Sequence, residues 1–333
     1  MRGLVKRILV GVAVLPLLAW WGCGAPNNEI PEETGDGGTV VVTTIFPLAD
    51  IGHSIGGDRV DVINLLPGGA SPHTFEPAPR QMQRMAGAEV VVQVGAGLDD
   101  WADKLSGVVP AEAVRVRVTE GMHLRAAGRH AEDREHPVAH GHGETAPEVD
   151  GEAVAHRHYQ GDPHVWLDPV LVRDEIAPRI CAALCVAAPA DAAYFKANLE
   201  SFQAELARLD EELSALTAGL DNKHFVAYHS AWGYFADRYG LVEVATVEDA
   251  PGKEPSPAWI ARVVDLARHH GAGAIFAEPQ FSTKAAEVIA DEYGARVLIL
   301  DPLGGEDLPG RDSYLGLMRY NARVLAEGLG TGN

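Results

Sequence analysis

The stretch DAAYFKANLESFQAELARLDEELSALTAGL, residues 191–220, sets the frame for the whole chain. Within it Tyr194, Phe195, Leu199, Phe202, Leu206, Leu209, Leu213 and Leu216 recur at steps of three or four, which is one face of a helix. Asp191 stands where an N-cap belongs and Gly219 where a helix stops. At 1.5 Å per residue, about 29 residues reach roughly 43 Å, enough to run across two small lobes.

Strand-like and helix-like runs alternate on both sides of that helix. Ahead of it, Thr39–Phe46, Arg59–Leu66, Glu89–Gly95 and Val114–Thr119 read as strands. Pro47–Gly56, Pro77–Gly87, Asp99–Ser106 and Leu171–Ala187 read as helices. Behind it, strands at His224–Tyr228, Val242–Val247, Ala274–Ala277 and Val297–Leu300 alternate with helices at Ala231–Tyr239, Pro257–His270, Lys284–Tyr293 and Tyr314–Leu329. Short apolar strands separated by helices are the mark of parallel sheets buried on both faces. The fold class is therefore α/β: two lobes, each a mainly parallel four-stranded sheet flanked by helices, joined by one long rigid helix. The lobes span 39–190 and 221–333, with the joining helix at 191–220. A length of 333 residues at 47% hydrophobic content supplies a core for each lobe.

The N-terminus is read as a targeting segment and kept out of the fold. Arg2, Lys6 and Arg7 precede the apolar run Ile8–Trp21, and Gly22-Cys23 follows. This order resembles a bacterial lipoprotein signal, with residues 1–22 removed and Cys23 lipidated, although Trp20 and Trp21 depart from the usual pattern there. Residues 23–38 form a flexible linker. Cys181 and Cys185, four apart on one helix face, are read as small apolar residues. Acidic residues outnumber basic ones, 47 to 27, giving a net charge of −20 that disfavours nucleic-acid binding.

Residues 123–160 break the alternation with a histidine-rich loop containing His130, His136, His140, His142, His156 and His158. Density of imidazoles there points to weaker secondary metal binding. Elsewhere, metal-ligand side chains sit just beyond strand-like runs, where open parallel sheets bind ligands. His73 follows the second strand, His229 the fifth and Asp301 the eighth, while His164 lies in the connection leaving the histidine-rich loop. Three imidazoles and one carboxylate suit zinc. Glu76 and Glu278 are candidates either to ligate or to orient a ligand histidine, and Asp168 to cap the following helix.

The motifs Ser71-Pro72-His73-Thr74-Phe75-Glu76-Pro77, Asp162-Pro163-His164-Val165-Trp166-Leu167-Asp168-Pro169, Tyr228-His229-Ser230-Ala231-Trp232, Glu278-Pro279-Gln280-Phe281 and Leu300-Asp301-Pro302-Leu303-Gly304 occur in that order. Together they resemble the metal-binding solute-binding proteins of bacterial ABC importers, from about Thr39 to the C-terminus. The resemblance implies a metal held between the lobes by His73, His164, His229 and Asp301. It further implies delivery to a membrane permease and its ATPase by a monomer that catalyses no reaction, exported to the periplasm or cell surface and anchored through Cys23. Manganese carriers in that family tend to place a carboxylate where His229 stands, so three imidazoles favour Zn2+ as the transported ligand. The alternatives are a manganese- or iron-carrying member and a surface adhesin on the same scaffold. A zinc hydrolase would need an open coordination position and a base, and His-Glu-x-x-His is absent.

Overall fold

The computed structural model describes residues 38–105, 107–126, 161–248 and 252–330. Cys23 and the loop histidines His130, His136, His140, His142, His156 and His158 lie outside the described residues.

Two four-stranded parallel sheets carry the fold. The first has strands β1 (Thr39–Thr43), β2 (Val60–Asn64), β3 (Val90–Gln93) and β4 (Val114–Arg117), ordered β2-β1-β3-β4. In the second, β5 (His224–Ala227), β6 (Val242–Thr246), β7 (Ile275–Ala277) and β8 (Val297–Ile299) repeat that order as β6-β5-β7-β8. All ladders are parallel. Alternate residues of one strand enter different cores, as the pleat requires. Val41, Val90 and Val92 face the core shared with the long helix, whereas Val42 and Val91 pack with Leu65, Met85 and Trp101 on the other side. Phe225, Ala227 and Phe276 join the shared core; Val226, Ile275 and Ala277 face the outer layer.

The helices of the first lobe are α1 (Phe46–Gly56), α2 (Pro79–Arg84) and α3 (Ala177–Ala187). A continuous helix over Leu171–Ala187 is not what forms. A turn at Pro169–Leu171 is followed by a π turn at Val172–Ile176, and only then by α3. Pro178 explains it: its ring cannot donate to, and clashes with, the carbonyl four residues back, so the preceding turn widens. Asp168 caps this segment, accepting from the Val170 N–H at 2.8 Å. The short helix expected after β3 is a 3-10 helix, Asp100–Leu105. Asp99 just before it is used otherwise. Its carboxylate takes the Thr44 hydroxyl at 2.6 Å and the N–H groups of Val94 and Gly95 at 2.6 and 2.8 Å, tying the ends of β1 and β3 together.

The long helix α4 spans Ala192–Ala218, 27 residues. Phe195, Phe202, Leu206, Leu209 and Leu213 are buried in the core that both sheets share. Polar contacts fix it to both lobes: the Asn198 amide donates to the Ile55 carbonyl at 2.9 Å, while Asp210 accepts from Arg238 Nε at 2.8 Å. The second lobe adds α5 (Gly233–Tyr239), α6 (Pro257–His270), α7 (Lys284–Tyr293) and α8 (Tyr314–Leu329). Burial of the Cys181 thiol, with Cys185 beside it, pushes its pKa up to about 12 and keeps it unreactive.

Candidate metal centre

Each histidine arrives on a loop whose neighbours pin it. The His73 loop follows β2, and the Pro72 carbonyl accepts from Trp101 Nε1 at 3.0 Å while Phe75 meets the Trp101 ring edge-on at 4.8 Å. His164 precedes the buried Trp166, whose indole N–H reaches the Pro302 carbonyl at 2.7 Å across the lobes. His229 lies just past β5, beside the Tyr228–Phe281 stack.

The three rings converge. His73, His164 and His229 present ring nitrogens that all lie within 4.8 Å of one another. His73 Nε2 and His164 Nε2 are 3.2 Å apart. Two nitrogens bound to one tetrahedral zinc at 2.0–2.1 Å would stand about 3.3 Å apart, so a shared ion fits this spacing, as does a hydrogen bond between the rings. Carboxylates set the tautomers of two rings. His164 Nδ1–H donates to Asp162 Oδ1 at 2.8 Å, and His229 Nδ1–H donates to Glu278 Oε1 at 2.8 Å. Each leaves its Nε2 lone pair for the cleft.

Electrostatics divide the rings. Burial, followed by the neighbouring His164 and His229, holds the His73 pKa well below the ordinary imidazole value. For His229, burial pulls downward, but the charge and hydrogen bond of Glu278, with Glu248 and Glu243 behind, outweigh it and raise the pKa. The cavity bounded by these rings measures about 10 Å³, room for a single ion or water-sized sphere. Ser71, Pro72, Trp166, Glu278, Gln280, Phe281, Pro302 and Leu303 complete its wall. Among the described residues, Glu278 Oε2 and Gln280 Oε1 are buried there without a hydrogen-bond partner. Orphaned acceptors beside three imidazole nitrogens fit a cation.

Asp301, expected as the fourth ligand, lies outside this group of three among the described residues. Both its oxygens are committed: Oδ1 accepts from the N–H groups of Leu303 and Gly304 at 3.0 and 2.9 Å, and Oδ2 from Arg311 at 2.8 Å. It builds the turn that puts Pro302 and Leu303 on the cavity wall. Glu76 is solvent-exposed, and among the described residues the glutamate candidate hydrogen-bonded to one of the three histidines is Glu278. Asp162, which sequence reading did not single out, does for His164 what Glu278 does for His229.

Residues 41–328 match the family described as zinc-uptake complex component A, periplasmic. The chain belongs to the ZnuA family. The high-affinity zinc uptake system protein ZnuA of Bacillus subtilis (strain 168) is 30% identical over 313 residues, covering 92% of each chain. The zinc-binding protein AdcA of Streptococcus pyogenes serotype M3 is 28% identical over 326 residues, 96% of this chain, and the chain spans only 61% of that relative's length. A crystal structure of a ZnuA superposes with a TM-score of 0.74 at 31% identity, covering 88% of this chain and 99% of the other. The expected two-lobed α/β architecture is thus that of the ZnuA family.

Proposed function

We propose that this ZnuA-family protein is the exported zinc-binding component of an ABC importer, capturing Zn2+ outside the cytoplasm and handing it to a membrane permease driven by its ATPase. One observation carries the reading: three imidazole rings converge on a one-ion cavity, two of them aimed by carboxylates. His73, His164 and His229 are the proposed ligands. Softer nitrogen donors favour zinc over manganese, which prefers oxygen. The names carried by the Bacillus and Streptococcus relatives support the same choice.

Delivery follows from where the donors stand. His73 and His164 belong to the first lobe and His229 to the second, so a bound ion crosslinks the lobes. Parting them removes one of three donors without unfolding either sheet, and α4, packed on both, restricts that motion to a small hinge or shear. No bond in the cargo is broken, and we assign no catalysed reaction. Anchoring through Cys23 and auxiliary binding by the loop histidines belong to the same proposal, as does a monomeric state. The test is metal analysis of protein purified without added metal, followed by competition between zinc and manganese. Retention of about one zinc with manganese readily displaced supports the assignment; preferential retention of manganese defeats it.

A further inference from the structure

Behind the ligands lies an arginine that the metal site does not touch. Arg125 lies in the irregular segment after β4, and its side chain is one-fifth exposed. Nη1 donates to Asp162 Oδ2 at 3.1 Å, leaving Asp162 Oδ1 for the ring and backbone N–H of His164 at 2.8 and 3.0 Å. Nε donates to Asp237 of α5 at 2.7 Å, and the guanidinium lies 5.5 Å from the Tyr234 ring centre. The Arg125 N–H meets the Tyr234 hydroxyl at 3.0 Å, and that hydroxyl donates to the Asp162 carbonyl at 2.9 Å. A fourth tie joins Asp162 N–H to the Arg125 carbonyl at 2.7 Å.

Gly233, the first residue of α5, makes this seat possible. A Cβ there would stand 1.4 Å from Arg125 Nη1 and 2.4 Å from its Cζ. Any other residue must expel the guanidinium. The helix so occupied begins four residues after His229, so one arginine joins the carboxylate that aims a first-lobe ligand to the element that carries the second-lobe ligand.

We propose that Arg125 is a positioning residue for the ion site: through Asp162 it fixes the orientation of His164, and through α5 it makes that orientation depend on closure of the lobes. With Arg125 seated, the Asp162 carboxylate cannot rotate, since each oxygen has its own donor. With the lobes parted, Arg125 leaves Asp237 and Tyr234, Asp162 loosens, and His164 becomes a weaker donor as His229 withdraws. Release of the ion is thereby made concerted between the lobes. This inference rests on the zinc-binding reading given above.

The test is a double-mutant cycle on zinc affinity, using the full chain and zinc alone as probe. Arg125→Met should weaken binding about tenfold, the scale typical of residues that hold a ligand. Gly233→Ala, which retains the charge but displaces the guanidinium, should do the same, and Arg125→Lys should restore part of the loss. In an Asp162→Asn background, Arg125→Met should have no further effect. In metal-free protein, the 15N shifts of His164 should move from a single Nδ1–H tautomer toward a mixture in Arg125→Met and Gly233→Ala. Affinity within twofold of wild type, equal losses in both backgrounds, or a lower melting temperature with unchanged affinity and unchanged His164 shifts would each overturn the proposal. Wild-type protein that binds no zinc would overturn the transport reading and this one together, whereas zinc-binding wild type with an indifferent Arg125 overturns this one alone.

Discussion

Glu278→Gln isolates a single charge at the site. The substitution keeps the shape and leaves an oxygen able to accept from His229 Nδ1, now 2.8 Å away, but deletes a carboxylate whose side chain is 0% exposed. Across the imidazole, zinc on Nε2 would stand roughly 6.5 Å from that carboxylate, an attraction of ~5 kcal/mol for a divalent ion at an effective dielectric of about 20. The same carboxylate attracts the proton that His229 holds in the metal-free state, by ~4 kcal/mol at about 4 Å. Zinc must displace that proton wherever it is bound, so the two attractions nearly cancel at low pH, leaving ~1 kcal/mol, or about fivefold. Above the raised His229 pKa there is no proton to displace and the carboxylate acts on zinc alone. Partial compensation by the glutamine oxygen brings the loss into the range of about 10- to 100-fold usual for residues orienting a ligand histidine. Competition against a chelator should therefore show a 10- to 100-fold deficit at about pH 8.5 that shrinks below tenfold near pH 6. Equal affinity to wild type at the higher pH, or a deficit of the same size at both, would refute the argument.

Other substitutions probe the remaining assignments. Asp301→Asn strips Arg311 and two backbone N–H groups of a buried carboxylate, and should lower unfolding free energy by about 2–4 kcal/mol in denaturant titrations. Zinc affinity should fall far less than in His229→Ala; the reverse pattern would restore Asp301 as a ligand. For His73 the sign runs through its lowered pKa: below about 6.5 the unfolded chain takes a proton that the folded ring refuses, so metal-free protein loses stability as pH falls through that value. In His73→Gln that contribution vanishes, and the stability difference between pH 7 and pH 5 should narrow relative to wild type; an unchanged difference speaks against a depressed His73. Removal of residues 130–158 should abolish weak additional zinc binding while one tight site persists, as equilibrium dialysis would count; disappearance of the tight site would show that those histidines supply it.

Much of this was legible before any coordinates. β-Branched runs such as 39–43 and the repeating apolar face of 191–220 encode strands and helix by periodicity alone, and histidines just past strand ends point to a cleft. What stayed hidden depends on contacts distant in sequence. One is the turn at Gly304 that brings Arg311, ten residues on, back onto the Asp301 carboxylate. Glu76 and Glu278 sit in similar Glu-containing motifs, and only the packing of β7 beside β5 places the latter against His229. The partners of Arg125 lie 37 and 112 residues away. Pro178 was in plain view and marks where a regular helix must break, but the form of the break, a π turn over Val172–Ile176, is seen only in the structure.

X-ray absorption at the zinc edge of the loaded protein interrogates the ligand set itself. The account predicts a low-coordinate shell at about 2.0–2.1 Å with outer-shell scattering from three imidazoles, falling to two in His73→Ala, His164→Ala or His229→Ala. A six-coordinate, oxygen-dominated shell, or a spectrum indifferent to those substitutions, would contradict it.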